Sequence, residues 1–306
     1  YQQVIKASDL AERSPVRGCM VIKPYGYAIW EKMRDTLDRM FKATGHQNAY
    51  FPLFIPESYL ARESEHVEGF SPELAVVTVG GGKELEEPVV VRPTSETIVN
   101  ASFSRWIQSY RDLPLRLAEF GFVHRYELSG VLHGLFRARG FTQDDAHLFV
   151  RPDQMDEEIE RVLDFCLHIL RSFGFTDFKA YLGTKPDDAI GEEKQWRDAE
   201  VALKASLDRS GLDYEVDEGG GAFYGPKIEF NIKDALGRNW QCGTIQVDFS
   251  MPSRFEATYE GKDGKKHTPV MIHRAILGSL ERFMGIMIEN FAGKFPLWLA
   301  PVQVKI

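Results

Sequence analysis

Between Phe120 and His147 the chain reads FGFVHRYELSGVLHGLFRARGFTQDDAH, a run whose charged and aromatic residues are of the types that hold a nucleotide. Arg125 and Glu127 stand two apart, a spacing that places both side chains on one face of a strand. LSGVLHG (128–134) reads as a loop. FRARGFTQDDAHLFV (136–150) reads as a returning strand that carries a second row of side chains, Arg137, Arg139, Phe141, Asp144, Asp145 and His147. A guanidinium fork matches phosphate oxygens, a carboxylate accepts from an exocyclic amine, and an aromatic ring stacks on a base. The alternative use of the same residues is a charged hairpin face with ordinary salt bridges.

Such a hairpin must be positioned by a larger frame. Ile29, Trp30, Met33, Leu37, Met40 and Phe41 recur at helical spacing between Pro24 and Gly45, and Gly45 is a stop signal. NAYFPLFIPES (48–58) is β-rich but contains Pro52, which lacks a ladder donor and so favours an edge or an interface. Gly80-Gly81-Gly82-Lys83 is not a phosphate loop, because Glu84 stands where a Ser or Thr would bind magnesium; it reads as a hairpin tip. Helices are expected over Ser95 to Tyr110 (burying Ile98, Phe103, Trp106, Ile107 and Tyr110), over Asp153 to Ser172 with Gly174 as its end, and over Gly191 to Arg209. DYEVDE, KIEFNIKD, NWQCGTIQVDFSMP and SRFEATYEG then read as strands, DALG and GKDGKK as turns, and Ile272 to Asn290 as a helix. Clustered strands with helices between and after them, rather than strict alternation, indicate an α+β fold with an antiparallel sheet flanked by helices.

The chain has 306 residues, 43% hydrophobic and 27% charged, enough for one large core without an interrupting linker. Apolar runs fall well short of the ~18 residues a membrane span needs, and the N-terminus lacks a basic start with an apolar centre. Neither spanning nor secretion is indicated, and cytoplasm is the expected location. Cys19, Cys166 and Cys242 are widely spaced and odd in number, which fits reduced thiols and excludes a four-thiolate metal site. A net charge of −8 argues against the broad basic surface of a stand-alone nucleic-acid binder.

From about Tyr110 onward, SYRDLPLRLAEFGFVHR, LHGLFRARGFTQDDAH, GAFYGPKIEF, QCGTIQVDFSMPSR and PVMIHRAILGSLERF resemble the threonyl-tRNA synthetases, within the class II (subclass IIa) aminoacyl-tRNA synthetases. Before that point, VIKASDLAERSPVRGCMVIKPYGYAIWEKM, NAYFPLFIPES, HVEGFSPE and VVVRPTSETI resemble prolyl-tRNA synthetases of the archaeal and eukaryotic type. The two likenesses meet near Trp106 to Leu115, a mixture that suggests an engineered or reconstructed hybrid. The resemblance implies one catalytic domain over 1–306, with motif 1 at about 24–56 forming a homodimer interface, motif 2 at about 117–147 and motif 3 at about 270–290. It also implies that anticodon-binding and editing domains are absent.

The resemblance further implies ATP-dependent formation of an aminoacyl-adenylate and transfer to the acceptor end of tRNA. Arg125 would bridge the α-phosphate and the substrate carboxylate, Glu127 would accept from the adenine amino group, and Phe141 would stack on the base. Arg137 and Arg282 would hold the γ-phosphate from two sides, with Lys227 and Gln241 lining the same site. ATP brings Mg2+ with it. For the amino acid, Thr94, Glu96, Asp145, His147, Tyr224, Gln246 and His273 occupy the pocket positions. Threonyl enzymes hold zinc with one Cys and two His; here His147 and His273 stand at the histidine positions but Glu96 stands at the cysteine position, the prolyl-type pattern. Glu96, His147 and His273 are an allowed zinc set. The alternative is a pair of histidines hydrogen-bonding across a cleft. Threonine is the expected substrate and proline the alternative; a non-catalytic tRNA- or partner-binding paralogue and a catalytically weak designed scaffold are the rivals of another class.

Overall fold

Alternation of side chains along long strands divides the molecule into two faces, one packed by helices and one left to carry polar groups. The structure, a computed structural model, describes residues 2–61 and 74–306. The HVEGFSPE run at 66–73 lies outside the described residues. In chain order the strands are β1 (Ala11–Arg13), β2 (Met20–Ile22), β3 (Gln47–Asn48), β4 (Phe54–Pro56), β5 (Ala75–Gly80), β6 (Lys83–Val91), β7 (Leu115–His124), β8 (Gly140–Val150), β9 (Phe178–Gly183), β10 (Tyr214–Asp217), β11 (Lys227–Lys233), β12 (Asn239–Asp248), β13 (Tyr259–Glu260), β14 (Lys266–His267) and β15 (Val270–Ser279). The helices are α1 (Gln2–Ala7), α2 (Pro24–Ala43), α3 (Glu57–Ala61), α4 (Glu96–Trp106), α5 (Met155–Ser172), α6 (Glu193–Ser210), α7 (Ser250–Arg254) and α8 (Leu280–Phe291).

The main sheet has the order β10-β9-β11-β12-β15-β8-β7-β3. Its six inner strands are antiparallel, and the outermost pairs, β10 with β9 and β3 with β7, are parallel. Ala146, Leu148 and Val150 of β8, Ile272 and Ile276 of β15, and Ile245 and Val247 of β12 share a buried core with apolar residues of α2, α5, α6 and α8. The opposite parity presents Asp145 and His147 on β8, His273 on β15, and Gln246 and Asp248 on β12. A second apolar cluster, with Val99 and Phe103 of α4 against Phe149 and Met271, supports one end of that polar face. No helix among the described residues is long and apolar enough to cross a membrane.

The α+β architecture with an antiparallel sheet is as the sequence indicates, and so are α2, α5 and α6 within two residues. The Gly80–Lys83 tip closes the β5–β6 hairpin with positive φ at Gly81 and Gly82. Four expectations need correction. Ile272 to Asn290 is not one helix: Val270–Ser279 is an inner strand, and only Leu280–Phe291 is helical. A strand buried on both faces reads as a continuous apolar run, which periodicity cannot tell from a helix. SRFEATYEG is mostly not strand, since α7 takes Ser250–Arg254 and only Tyr259–Glu260 pairs. NAYFPLFIPES does not form one strand either, because Pro52 separates the main-sheet edge at β3 from β4 in a small three-stranded sheet. Finally, the helix expected to Tyr110 stops at Trp106, whose side chain is half exposed.

Candidate active site

Strand register assembles the polar face before any side chain is considered. Lys227 of β11 lies opposite Gln246 of β12, Gln246 opposite His273 of β15, and His273 opposite His147 of β8. A row of four functional residues therefore crosses four strands. The adjacent row contains Glu229, Thr244, Ala275, Asp145 and Glu119. A cavity of about 530 Å³ opens over these rows. Thr94, Glu96, Asp145, Tyr224, Gln246 and His273 line it, together with Arg125, Glu127, Phe141, Lys227, Gln241 and Arg282.

The nucleotide-type residues form one connected set. Arg125 and Glu127 lie beyond the end of β7, so a shared strand face does not unite them; the Glu127 N–H donates to Arg125 O at 2.8 Å across a tight turn. The Arg125 guanidinium is 5.5 Å from the centre of the Phe141 ring. Arg282 enters on the first turn of α8, where Ser279 caps the helix by accepting from the Arg282 N–H at 3.1 Å. Its Nε donates to Phe136 O at 2.8 Å and a terminal nitrogen donates to Gln241 O at 3.2 Å. Lys227 pairs with Glu229, which also accepts from Gln241. Arg137 is outside the cavity lining and forms an ion pair with Glu127 instead. In this arrangement the Glu127 carboxylate that was expected to meet adenine is engaged by a neighbouring guanidinium. The strand expected to start at Phe136 begins at Gly140, so Arg137 belongs to the turn and not to the ladder.

The amino-acid-type residues form the second set, and burial governs their charge. His273 Nδ1 is 2.9 Å from Glu96 Oε1, and its Nε2 is 3.0 Å from Asp248 Oδ2. Burial alone would lower the His273 pKa, but the Glu96 charge and the hydrogen bond to Asp248 outweigh it and raise the pKa to about 10. Burial pushes the Asp145 carboxyl up to about 8, with the Glu96 charge adding to the effect. Burial and the charge of His273 lower His147 to about 3, leaving a neutral imidazole. Tyr224 stacks on His273 at 5.6 Å and donates its hydroxyl hydrogen to Gln246 Oε1 at 2.8 Å. His147 is buried behind the cavity lining rather than on it.

Zinc is the metal that the resemblance raises, and the residues fit it. Donor atoms of Glu96, His147 and His273 all lie within 4.8 Å of one another. His147 Nε2 is buried without a hydrogen-bond partner among the described residues, so its lone pair suits a metal. Two His and one Glu form an established zinc set, and Asp248 on the far nitrogen of His273 is the carboxylate partner such a ligand uses.

Several supporting roles escaped the sequence reading. Asp248 lies two residues beyond Gln246 on β12, so period-two spacing was a usable signal for it. Asp144, fully buried, accepts from the N–H groups of Ile276 at 3.0 Å, Leu277 at 3.0 Å and Gly278 at 2.9 Å. It thereby fixes the irregularity in β15 that leads into Ser279 and Arg282. Glu119 accepts from Arg92 at 3.0 Å, from Ser95 Oγ at 2.9 Å and from the Phe51 N–H at 3.0 Å, all in buried surroundings. That pair holds the segment carrying Thr94 and Glu96. It was invisible beforehand because its members are distant in the chain.

Residues 77–291 match the family described as the tRNA synthetase class II core domain (G, H, P, S and T). The chain belongs to that family. It is 45% identical over 309 aligned residues to the threonine-tRNA ligase of Methylococcus capsulatus, covering 100% of this chain and 47% of that protein. The threonyl likeness therefore includes the segment before Trp106 where the prolyl-type runs occur. The chain spans less than half the length of the curated relatives it matches. The structure of the RNA binding domain of threonyl-tRNA synthetase from Cryptosporidium parvum superposes with a TM-score of 0.90 at 38% identity, covering 98% of this chain and 74% of that one. Prolyl-tRNA synthetase from Giardia lamblia, in complex with prolyl-adenylate, has a TM-score of 0.80 at 24% identity over 99% of this chain and 55% of its own, a likeness of fold.

Proposed function

We propose that this chain is the catalytic core of a threonine-tRNA ligase, activating threonine with ATP and passing it to the acceptor end of a tRNA. The observation that carries the reading is the convergence of Arg125 and Arg282, from two separate elements, on one cavity that also contains the buried carboxyl of Asp145. In the activation step a substrate carboxylate oxygen forms a bond to the α-phosphorus and the bond to pyrophosphate breaks. Little covalent chemistry is asked of the protein; orientation and charge stabilisation carry the rate.

Arg125 binds the α-phosphate and the attacking carboxylate, and Arg282 and Lys227 hold the leaving phosphates. Arg137 reaches the γ-phosphate by exchanging its ion pair with Glu127, which frees Glu127 for the adenine amino group while Phe141 stacks on the base. Gln241 lines the nucleotide side. Magnesium arrives on the phosphates as their counter-ion. Asp145 and Thr94 accept from the N–H groups of the substrate amine, and Tyr224 and Gln246 orient the side chain. Glu96, His147 and His273 would hold a zinc ion, which would supply a Lewis acid able to tell the hydroxyl of threonine from the methyl of valine.

A second reading rests on the hydrogen bonds that engage both nitrogens of His273. In it the pocket is metal-free, the His273 imidazolium takes the place of the cation, and proline competes with threonine through Thr94 and Glu96. Tyr50 and Phe54 expose large apolar surface beside β4, which supports a homodimer through the motif 1 region. A cytoplasmic location follows from this activity.

The test is ATP-pyrophosphate exchange with each of the twenty amino acids, with and without added zinc, beside metal analysis of the purified protein. Threonine-dependent exchange and one zinc per chain, lost on His147→Ala, are the expected results. Exchange that is equal for threonine and proline in zinc-free protein selects the second reading. Absence of exchange with every amino acid contradicts both.

A further inference from the structure

The β1–β2 hairpin contributes none of the residues that line the cavity, yet its tip is bonded to the turn that carries Arg125 and Glu127. The connection is Arg139. Its backbone N–H donates to Gly18 O at 2.7 Å, and its own carbonyl accepts from the Arg125 N–H at 2.9 Å. Its Nε donates to Glu127 O at 3.0 Å, and its terminal nitrogens reach Ser129 Oγ at 3.4 Å and Arg17 O at 3.5 Å. The guanidinium carbon lies 3.8 Å from the centre of the Tyr126 ring.

Gly18 is required at the seat for two reasons. It has φ +83, and a Cβ there would stand 2.7 Å from the Cγ and Cδ of Arg139. Arg125 and Glu127 lie past the end of β7, where a ladder no longer fixes the backbone. One buried residue therefore ties, through its backbone to Arg125 and Gly18 and through its side chain to Glu127, Ser129, Arg17 and the Tyr126 ring, the turn and the hairpin tip into a single arrangement.

We propose that Arg139, seated on Gly18, is a positioning residue that holds Arg125 and Glu127 in nucleotide-binding register, so that the β1–β2 hairpin is a working part of the ATP site. The inference rests on the reading of this cavity as an ATP site. It is tested by calorimetric titration of the whole chain with a non-hydrolysable ATP analogue and Mg2+, and separately with threonine, for the parent, Arg139→Lys, Gly18→Ala and the double variant. Lysine keeps the charge but not the fork, so the comparison isolates geometry.

The expected result is analogue binding weakened ~10-fold or more in each single variant, with threonine affinity changed by less than about twofold. The double variant should be little worse than either single one, because one removes the guanidinium and the other displaces it from its seat. Thermal melting in the same buffer establishes that each variant is folded at the titration temperature. Parental analogue affinity in folded Arg139→Lys and Gly18→Ala overturns the inference and leaves the ATP-site reading standing. Equal losses for analogue and threonine also overturn it, since they indicate general damage. A parent that does not bind the analogue overturns the ATP-site reading, and the inference with it.

Discussion

The two contact sets of the cavity are built on different principles. The nucleotide set consists of Arg125, Glu127, Phe141, Lys227, Gln241 and Arg282, which offer guanidinium forks, a carboxylate, an aromatic face, an ammonium and an amide around one cavity. The amino-acid set brings Asp145, His147, Asp248 and His273, all buried, together with the half-buried Glu96, from four elements into one cluster. There each protonation state depends on the others: Asp145 is raised to about 8, His147 lowered to about 3 and His273 raised to about 10. The chemistry of the first set follows from residue type. The second acquires its chemistry only when folding excludes water and fixes its neighbours.

The largest expected effect comes from undermining the amino-acid set from below. Arg92 and Glu119 are a buried pair whose hydrogen bonds hold the segment bearing Thr94 and Glu96. Arg92→Met leaves the Glu119 carboxylate buried without its charge partner, and urea unfolding should lose roughly 3–5 kcal/mol. A loss below about 1 kcal/mol would mean that the pair is not what fixes that segment.

Breaking the nucleotide set should leave the fold in place and remove the chemistry. Arg125→Ala and Arg282→Ala should each cost ~100-fold or more in pyrophosphate exchange at saturating ATP, with melting temperatures close to the parent. Near-parental exchange in either variant would reject the role assigned to that residue.

A substitution that sharpens the comparison is Glu96→Cys, which replaces a hard oxygen donor by a thiolate beside His147 and His273. Zinc should then resist a chelator longer than in the parent. Selectivity for threonine over valine should rise above the ~1–3 kcal/mol that a methyl-sized difference supplies on its own. Unchanged zinc retention would show that Glu96 is not at the metal.

The smallest effect is a pH control on the helix-packed face, outside both sets. Burial first, and the Arg274 charge second, lower the His46 pKa from 6.5 to about 3. The unfolded chain therefore binds this proton at a higher pH than the folded one does. Stability should fall as pH drops from 6.5 toward 3, with a slope of at most about 1.4 kcal/mol per pH unit from this group. His46→Gln should flatten the difference between urea midpoints at pH 7 and pH 5; a variant as acid-sensitive as the parent would place the acid response elsewhere.

Legibility in the sequence followed the same division. The helices α2, α5 and α6 were readable because each exposes one polar face and buries one apolar stripe, and Gly174 and Gly45 marked two of their ends. β15 was misread because Ile272, Ile276 and Leu277 are buried beside Met271 and His273, which are buried too. In the site, residue type and spacing picked out Arg125, Glu127 and Phe141 and the family resemblance added Arg282, while Arg137 proved to be paired with Glu127 and His147 to lie behind the cavity wall. The bracing role of Asp144 and the Arg92–Glu119 pair were not readable, since both depend on partners that only the sheet register brings close.

The central claim is that the two sets act on one molecule of ATP and one of threonine. The most direct measurement is to mix the purified chain with stoichiometric ATP, threonine and Mg2+, quench the single turnover, and assay for threonyl-adenylate by mass spectrometry together with released pyrophosphate. The account predicts that both products appear in equal amounts and that both vanish in Arg125→Ala. Release of inorganic phosphate and ADP without adenylate, or no turnover from a chain that binds both substrates, would contradict it.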